Sequence, residues 1–267
     1  MTRNCSSVSV LVLACCGTEQ YALINSLAGV CCIRGIVLER RGNVLGKVFV
    51  KRIKRLGPLV VLDQLIFKVL DVFVFRPNAE SRASELLDAD VSFDENKFEN
   101  ARILRTRSVN SPEVLNLVSG ARPDVVVVSG VSILGNDLLD LLRGVPIVNI
   151  HCGITPRYRG THGAFWAVVN GDWDNVGVTV HLIDKGVDTG PIIDQENIKV
   201  DHHDNPRTLA FKQNAAGIRL VGKALSDIKP GETAIMQRPD LDSRVYSSPT
   251  ITAYLRYRSR MKERFSP

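Results

Sequence analysis

The hydrophobic pattern over the first two-thirds of the chain alternates between short apolar strands and longer helical segments. Runs that are apolar on both faces are typical of strands inside a parallel sheet, and they cover residues 7–14, 31–38, 103–106, 124–128 and 146–151. Helical composition or periodicity covers 18–27, 59–72, 112–121 and 136–142. Strands that alternate with helices at this spacing predict an α/β fold with a doubly wound, mostly parallel, Rossmann-like sheet.

The last third of the chain has a different pattern. Residues 177–183 and 192–200 alternate like half-exposed strands and could pair with each other, and Pro206 opens a predicted helix that runs to about residue 225. A turn-rich tail with a basic end begins at Pro230. We therefore predict a catalytic α/β domain over 1–205, followed over 206–267 by a helix and a small C-terminal extension.

Composition indicates a soluble globular protein. The 267 residues are 45% hydrophobic and 23% charged, and the net charge of +6 would suit either an anionic substrate or a nucleic acid. Six cysteines without a CxxC pair predict free thiols in a reducing compartment, so we expect a cytoplasmic protein. The most apolar window, 56–75, contains Asp63, Lys68 and Asp71, which favours an amphipathic or interior helix over a membrane span. No membrane partner is expected.

Candidate catalytic groups stand at the end of the strand 146–151. Asn149 and His151 share one face of an extended chain, while Ile150 points to the other. An amide and an imidazole placed together can polarise a carbonyl and hold the oxyanion formed when it is attacked. Asp188, in the glycine-bounded loop 185–190, could orient His151, raise its pKa or accept a proton through water. On the residues alone, a purely structural role for the histidine stays open.

The segment from Asn149 to Gly160, NIHCGITPRYRG, resembles the signature of the folate-dependent formyltransferases. Supporting motifs occur in the order and at the spacing of that family: 122–134, AFWA at 164–167, GVTVH at 177–181, and DTGPII at 188–193 with Gln195. The similarity is dense from Arg122 to Gln195 and loose over the N-terminal strands. Among family members, this chain is most similar to the sugar N-formyltransferase branch.

The resemblance implies an enzyme that transfers a formyl group from 10-formyltetrahydrofolate, its cosubstrate, without a metal. Asn149 and His151 would stabilise the tetrahedral intermediate, and Asp188 would assist removal of a proton from the attacking amine. Two segments would hold the folate, mainly through backbone groups; their residues are Gly130, Ile133 and Leu134, and then Ile183, Asp184 and Val187. Substrate-binding candidates are Arg157, Tyr158 and Arg159, where the two arginines could clamp a phosphate or be ordinary surface charge.

The acceptor expected from the resemblance is a primary amine, most specifically the amino group of a nucleotide-linked amino-deoxysugar. The residues after 225 are too few for the β-barrel of the enzymes that formylate methionyl-tRNA, and no domain is expected ahead of the first strand. The alternatives are a methionyl-tRNA or other amine formyltransferase and a non-catalytic folate- or nucleotide-binding protein. An oxidoreductase is disfavoured because no GxGxxG follows the first strand. A nucleic acid partner is not expected, and a homodimer is left open.

Several other residues have a simpler structural interpretation. Cys152 follows the strand without a separate base and is interpreted as a small packing residue rather than a nucleophile. Phe165 and Trp166 are interpreted as core residues, and His202 with His203 as a solvated turn rather than a metal site. The five basic residues at the end of the chain predict a solvated helix end; they are Arg256, Arg258, Arg260, Lys262 and Arg264.

Overall fold

The computed structural model describes residues 8–40, 53–227 and 234–266. A seven-stranded sheet forms the centre of this part of the chain, in the order β3-β2-β1-β4-β5-β7-β8. The first five strands pair in parallel, and β7 and β8 are added antiparallel at one edge. The strands are β1 (Ser9–Cys15), β2 (Cys32–Glu39), β3 (Arg102–Thr106), β4 (Val125–Ser129), β5 (Ile147–His151), β6 (Arg159–Gly160), β7 (Gly177–Leu182), β8 (Ile192–Asn197) and β9 (Val245–Tyr246).

Helices cover both faces of the sheet. They are α1 (Thr18–Leu27), α2 (Pro58–Leu70), α3 (Arg76–Glu80), α4 (Ala83–Leu87), α5 (Pro112–Ala121), α6 (Asn136–Leu141), α7 (Gly163–Val169), α8 (Pro206–Asp227) and α9 (Ile251–Phe265), with a π-helix, Asp71–Phe75, between α2 and α3. The prediction of a doubly wound, mostly parallel α/β fold is confirmed, as is the pairing of the two late strands with each other. Ser7 and Pro230, where the sequence places the start of the first strand and of the tail, lie outside the described residues.

The two faces of the sheet have separate cores because side chains alternate along each strand. In β1, Val10 and Val12 belong to the core under α1, α4 and α8, whereas Leu11 and Leu13 belong to the core under α5 and α6. The strand order reverses between β1 and β4, which are neighbours although the chain passes through β2 and β3 between them. The carboxyl ends of strands at such a switch point are where open α/β sheets bind ligands.

The two C-terminal helices pack against the central sheet and against α7. Helix α8 buries Phe211, Ala216 and Val221 in the same core as β5 and β7. Helix α9 packs on α7, and its Tyr257 hydroxyl donates to the carbonyl oxygen of Asp204 at 2.9 Å. The division of the chain at 205/206 into domain and extension stays a prediction.

The apolar segment predicted as a helix over 59–72 is α2, which continues into the π-helix. Its inner side buries Val61, Phe67 and Phe75, and the two phenylalanines belong to the core that includes residues of α7 and α9. Within residues 8–40, 53–227 and 234–266, no helix combines the length and the apolar character needed to cross a membrane. The helix has one buried and one exposed side, which confirms the amphipathic interpretation of this segment.

Candidate active site

The carboxyl end of β5 brings the predicted amide and imidazole to one side of the sheet. Ile150 is buried in the core beneath α8, so its neighbours Asn149 and His151 face the opposite side, as the alternation of the strand predicts. His151 is 6% exposed, and Asn149 is half-buried. The two side chains thus form a polar patch next to the hydrophobic core rather than at the solvent surface.

Asp188 reaches this patch from the loop between β7 and β8. One carboxylate oxygen, Oδ2, lies 3.3 Å from Nδ1 of His151 and accepts a hydrogen bond from the Gly160 amide at 2.8 Å. Burial alone would raise the pKa of the Asp188 carboxyl, but the charge that His151 carries when protonated and the hydrogen bond from the Gly160 amide lower that pKa to about 2. Asp188 is therefore ionised at neutral pH.

The hydrogen-bond partners of His151 determine which nitrogen of the neutral ring carries the proton. Nε2 lies 2.6 Å from the carbonyl oxygen of Tyr158, which can only accept, so Nε2 holds the hydrogen. Nδ1 is then unprotonated and faces the Asp188 carboxylate. Burial lowers the pKa of His151, and this effect outweighs the opposing influence of Asp188, so the ring is neutral at pH 7. Asp188 does raise the pKa of His151, as expected, but burial lowers that pKa by more, so the pKa of His151 lies below its usual value.

His181 is a fourth polar residue of the site, and the sequence analysis did not assign it a role. It lies directly opposite Asn149 across the β5–β7 pairing, and it is 3% exposed. Its Nδ1 donates to the Leu182 carbonyl at 2.8 Å, and its Nε2 accepts from Nδ2 of Asn149 at 3.1 Å. It lies 3.7 Å from Asp188 through the same Nε2. Its position on the same strand face as Thr179, two residues earlier, is the sequence signal that could have found it.

A network under the site fixes the turn that follows β5. The Thr179 hydroxyl donates to the Gly153 carbonyl at 2.7 Å and accepts from the Thr155 amide at 3.0 Å and from Gln195 at 2.9 Å. Gly153 has no room for a side chain, because a Cβ there would stand 2.3 Å from the Tyr158 carbonyl oxygen and 2.7 Å from Nε2 of His151. The glycine of the NIHCG motif is therefore required by the close approach of the turn to the histidine ring.

A cavity of about 670 Å³ lies between α6, the start of β5 and the segment after β7. Leu139, Leu142 and Ile147 supply apolar lining, and Ile183 and Asp184 of the second predicted folate segment complete it. Its volume and mixed lining are those of a small-molecule site.

The first predicted folate segment, after β4, does not line this cavity. Gly130 has a positive φ of 69°, and a Cβ there would stand 3.0 Å from Sγ of Cys15. Ile133 is 83% exposed, whereas Leu134 is buried in the core under α6. Val187 of the second segment is exposed, and its carbonyl accepts from Nε of Arg159 at 2.8 Å. The six predicted folate residues thus occupy two places, and only Ile183 and Asp184 line the cavity.

The three predicted substrate-binding residues have different surroundings. Arg157 is paired with Asp172 at 3.1 Å and with Asp242 at 2.8 Å. Tyr158 is 1% exposed and donates its hydroxyl to Asp172, so its ring belongs to the core, and the substrate-binding role of this residue stays a prediction. Among the described residues, Arg159 has no carboxylate partner, and it lies beside the Asp188 loop. Arg159 is therefore the one cation of the three with its charge available.

Cys152 follows the histidine in the chain and contacts Asn214 of α8. Burial, together with the negative charge of Glu19, raises the pKa of its thiol to about 12, so it is not a thiolate at neutral pH. Its Sγ accepts a hydrogen bond from Asn214 at 3.4 Å, which agrees with the packing role predicted for it. On α8, Arg207 forms two hydrogen bonds with the carboxylate of Asp71 in the π-helix, both at 2.7 Å.

The remaining candidates lie away from these groups. Phe165 is 1% exposed in the core, as predicted, and the indole of Trp166 donates to the Ser247 carbonyl at 3.0 Å while its ring stacks on Tyr246. The His202 side chain is 65% exposed in a turn. In the described part of the chain, no group of three or more His, Cys, Asp or Glu side chains is arranged to hold a metal ion.

Comparison with known proteins agrees with this fold and identifies a family. The sequence profile of the family described as formyl transferase matches residues 68–225, which include all four polar residues of the site. A methionyl-tRNA formyltransferase from Caldanaerobacter subterraneus subsp. tengcongensis is 31% identical over 153 residues, which are 57% of this chain and 48% of that protein. The chain belongs to the formyl transferase family. It spans about half the length of the curated relatives it matches.

Solved structures share the fold at lower identity. The phosphoribosylglycinamide formyltransferase of Bacillus halodurans superposes with a TM-score of 0.52 at 24% identity, covering 82% of this chain and 94% of that one. A Mycobacterium tuberculosis protein, whose assignment as a sugar N-formyltransferase is itself an inference, superposes with a TM-score of 0.51 at 16% identity, covering 94% and 85%. At this level of identity, the likeness concerns the fold alone.

Proposed function

We propose that this protein transfers the formyl group of 10-formyltetrahydrofolate to a primary amine. The observation that carries the proposal is the meeting of Asn149, His151 and Asp188 at the end of β5, in a chain of the formyl transferase family. The amine nitrogen bonds to the formyl carbon, and the tetrahedral intermediate then collapses by cleavage of the bond to N10 of the folate. The amine nitrogen loses one proton, and the folate nitrogen gains one.

In this proposal, the amide of Asn149 donates to the oxygen of the intermediate, and His181 holds that amide in place through Nε2. Nδ1 of His151, unprotonated in the resting site, accepts the proton that leaves the amine. The imidazolium then has the Asp188 carboxylate 3.3 Å away and lies beside the negatively charged oxygen. A neutral resting ring with a carboxylate beside its free nitrogen is suited to take up a proton only during the reaction.

The folate is proposed to enter the cavity between α6, β5 and the segment 182–185. The apolar side chains of that cavity suit a flat pterin, and the backbone of Ile183 and Asp184 supplies polar groups at its edge. Gly130, Ile133, Leu134 and Val187 are proposed as outer contacts of the same ligand, with Leu134 contributing through its backbone because its side chain is buried. No metal takes part in the proposed mechanism.

The finer proposal for the acceptor is an amino-deoxysugar linked to a nucleotide. Two observations support it: Arg159, which has no carboxylate partner among the described residues, lies beside the Asp188 loop, and one structural neighbour of similar fold is inferred to act on a sugar. The second candidate is methionyl-tRNA, favoured by the curated relatives that match half of the chain.

The test is transfer of labelled formyl from 10-formyltetrahydrofolate to a panel of amines that includes nucleotide-linked amino sugars and methionyl-tRNA. Asn149→Ala should lower turnover by roughly a hundredfold or more, because one oxyanion donor is lost. No product with any amine, together with retained folate binding, would favour the non-catalytic alternative. Thermal unfolding separates the acceptors, since a ligand at about 100 times its dissociation constant adds roughly 2.7 kcal/mol.

A further inference from the structure

The outer face of α2 and the π-helix exposes a row of large apolar side chains. Leu59, Leu62, Ile66, Val69 and Phe73 follow one another at intervals of three or four residues, so they lie along one side of the helix. They are 81%, 54%, 48%, 58% and 74% exposed. We call these five residues the apolar ridge; it extends for roughly 21 Å at 1.5 Å of rise per residue.

The ridge is distinct from the side of the helix that stabilises the fold. Val61, Phe67 and Phe75 on the inner side are each no more than 4% exposed. Folding of this chain therefore buries the inner apolar side chains and leaves the outer ones exposed to water. A monomer rarely exposes so many adjacent large apolar side chains unless they have a partner.

Four exposed cations border the ridge, and Glu80, just past it, accepts from the Thr18 hydroxyl. Lys54, Arg55, Lys68 and Arg76 are exposed, and in the described part of the chain none of them forms a salt bridge. The two carboxylates between residues 53 and 79 are used internally: Asp63 accepts from the Ile251 amide, and Asp71 is paired with Arg207.

The neighbouring helix carries further exposed cations. Helix α9 packs against α2, and all five of its basic residues at the end of the chain are exposed, which confirms the solvated helix end predicted for them. Only Arg260 among them has a carboxylate partner in the described residues, at 3.0 Å from Glu263.

We propose that the apolar ridge lies in the surface of an anionic lipid bilayer. A helix with Leu, Ile, Val and Phe on its outer face and Lys and Arg at its borders has the composition of a segment that rests in the headgroup region. A symmetric dimer through the ridge would instead bring the four bordering cations of one chain close to those of the other, where they repel. In this proposal the helix rests on the membrane surface and does not cross the bilayer. For this face of the protein, it replaces the expectation of no membrane partner.

The first experiment is flotation of the full chain with vesicles of phosphatidylcholine alone or mixed with phosphatidylglycerol. We expect binding to the anionic vesicles, little binding to the neutral ones, and loss of binding as salt is raised. Ile66→Glu and Phe73→Glu should each weaken the binding several-fold, and together by on the order of tenfold, because an apolar contact is replaced by a charge that anionic headgroups repel.

The matched control is Val30→Glu, since Val30 is 54% exposed and lies outside the ridge. It should bind vesicles as the parent does, and all variants should keep the parent's circular dichroism and melting temperature. The proposal is overturned if the parent does not float with anionic vesicles, or if the ridge variants bind as well as Val30→Glu. It is also overturned if light scattering shows a dimer that Ile66→Glu dissociates. Formyl transfer to a water-soluble amine is a separate readout, so failure of either proposal is seen independently.

Discussion

Replacement of Asp188 by Asn tests the proton-transfer role directly, because it removes one charge and almost nothing else. Asp188 has a positive φ of 50°, a conformation that Asn tolerates better than most residues. The Asn side-chain oxygen can still accept from the Gly160 amide, as the carboxylate does at 2.8 Å. We therefore expect the fold to survive and the change to act on His151.

The magnitude follows from the distance between the two groups. At 3.3 Å, with an effective dielectric constant of about 20, Coulomb's law gives roughly 5 kcal/mol between the imidazolium and the carboxylate. Asp188 is 15% exposed, so solvent screening leaves only part of this energy. If about half acts in the transition state, the loss of rate is on the order of a hundredfold.

The assay is steady-state formyl transfer with the best acceptor amine at saturating concentration, while the concentration of the folate is varied. The turnover number should fall by about two orders of magnitude with little change in KM for the folate. Asp194→Asn is the control: Asp194 lies on β8, where it accepts from Lys223 at 3.1 Å, away from the site. Turnover of Asp188→Asn within about fivefold of this control would refute the proposed role of the carboxylate.

Three further predictions concern the surroundings of the histidine. Gly153→Ala should destabilise the protein by about 1–3 kcal/mol in chemical denaturation and abolish activity, whereas Gly222→Ala, with nothing within 4 Å of the added Cβ, should be neutral or stabilising. Cys152→Ala should retain formyl transfer within a few-fold by the labelled assay, because a buried thiol with its pKa near 12 is no nucleophile; a large loss would contradict this. In the folded protein the pKa of His151 lies below its usual value near 6.5. The neutral ring therefore contributes its full stability above pH 6.5, and this contribution declines as the pH falls below that value. The melting temperature should drop on acidification, and it should drop less in His151→Gln.

The family and much of the fold were accessible from the sequence because the relevant signals are local. The parallel strands are continuous apolar runs, and the motif from Asn149 to Gly160 is contiguous, so the strands and the motif can be identified along the chain. The order of the strands in the sheet cannot. The shared orientation of Asn149 and His151 also follows from the two-residue period of a strand. The approach of Asp188 was expected only from the resemblance and the glycine-bounded loop.

Other properties depend on residues far apart in the chain, and only the folded structure determined them. His181 meets Asn149 through the antiparallel register of β5 and β7, which no local pattern specifies. Burial depends on the whole fold: it lowers the pKa of His151, and only the packing of distant elements shows that the Tyr158 ring lies in the core. The period of α2 predicts an amphipathic helix from sequence alone, but which apolar side chains remain exposed depends on where α7 and α9 pack, and the apolar ridge exists because neither covers it.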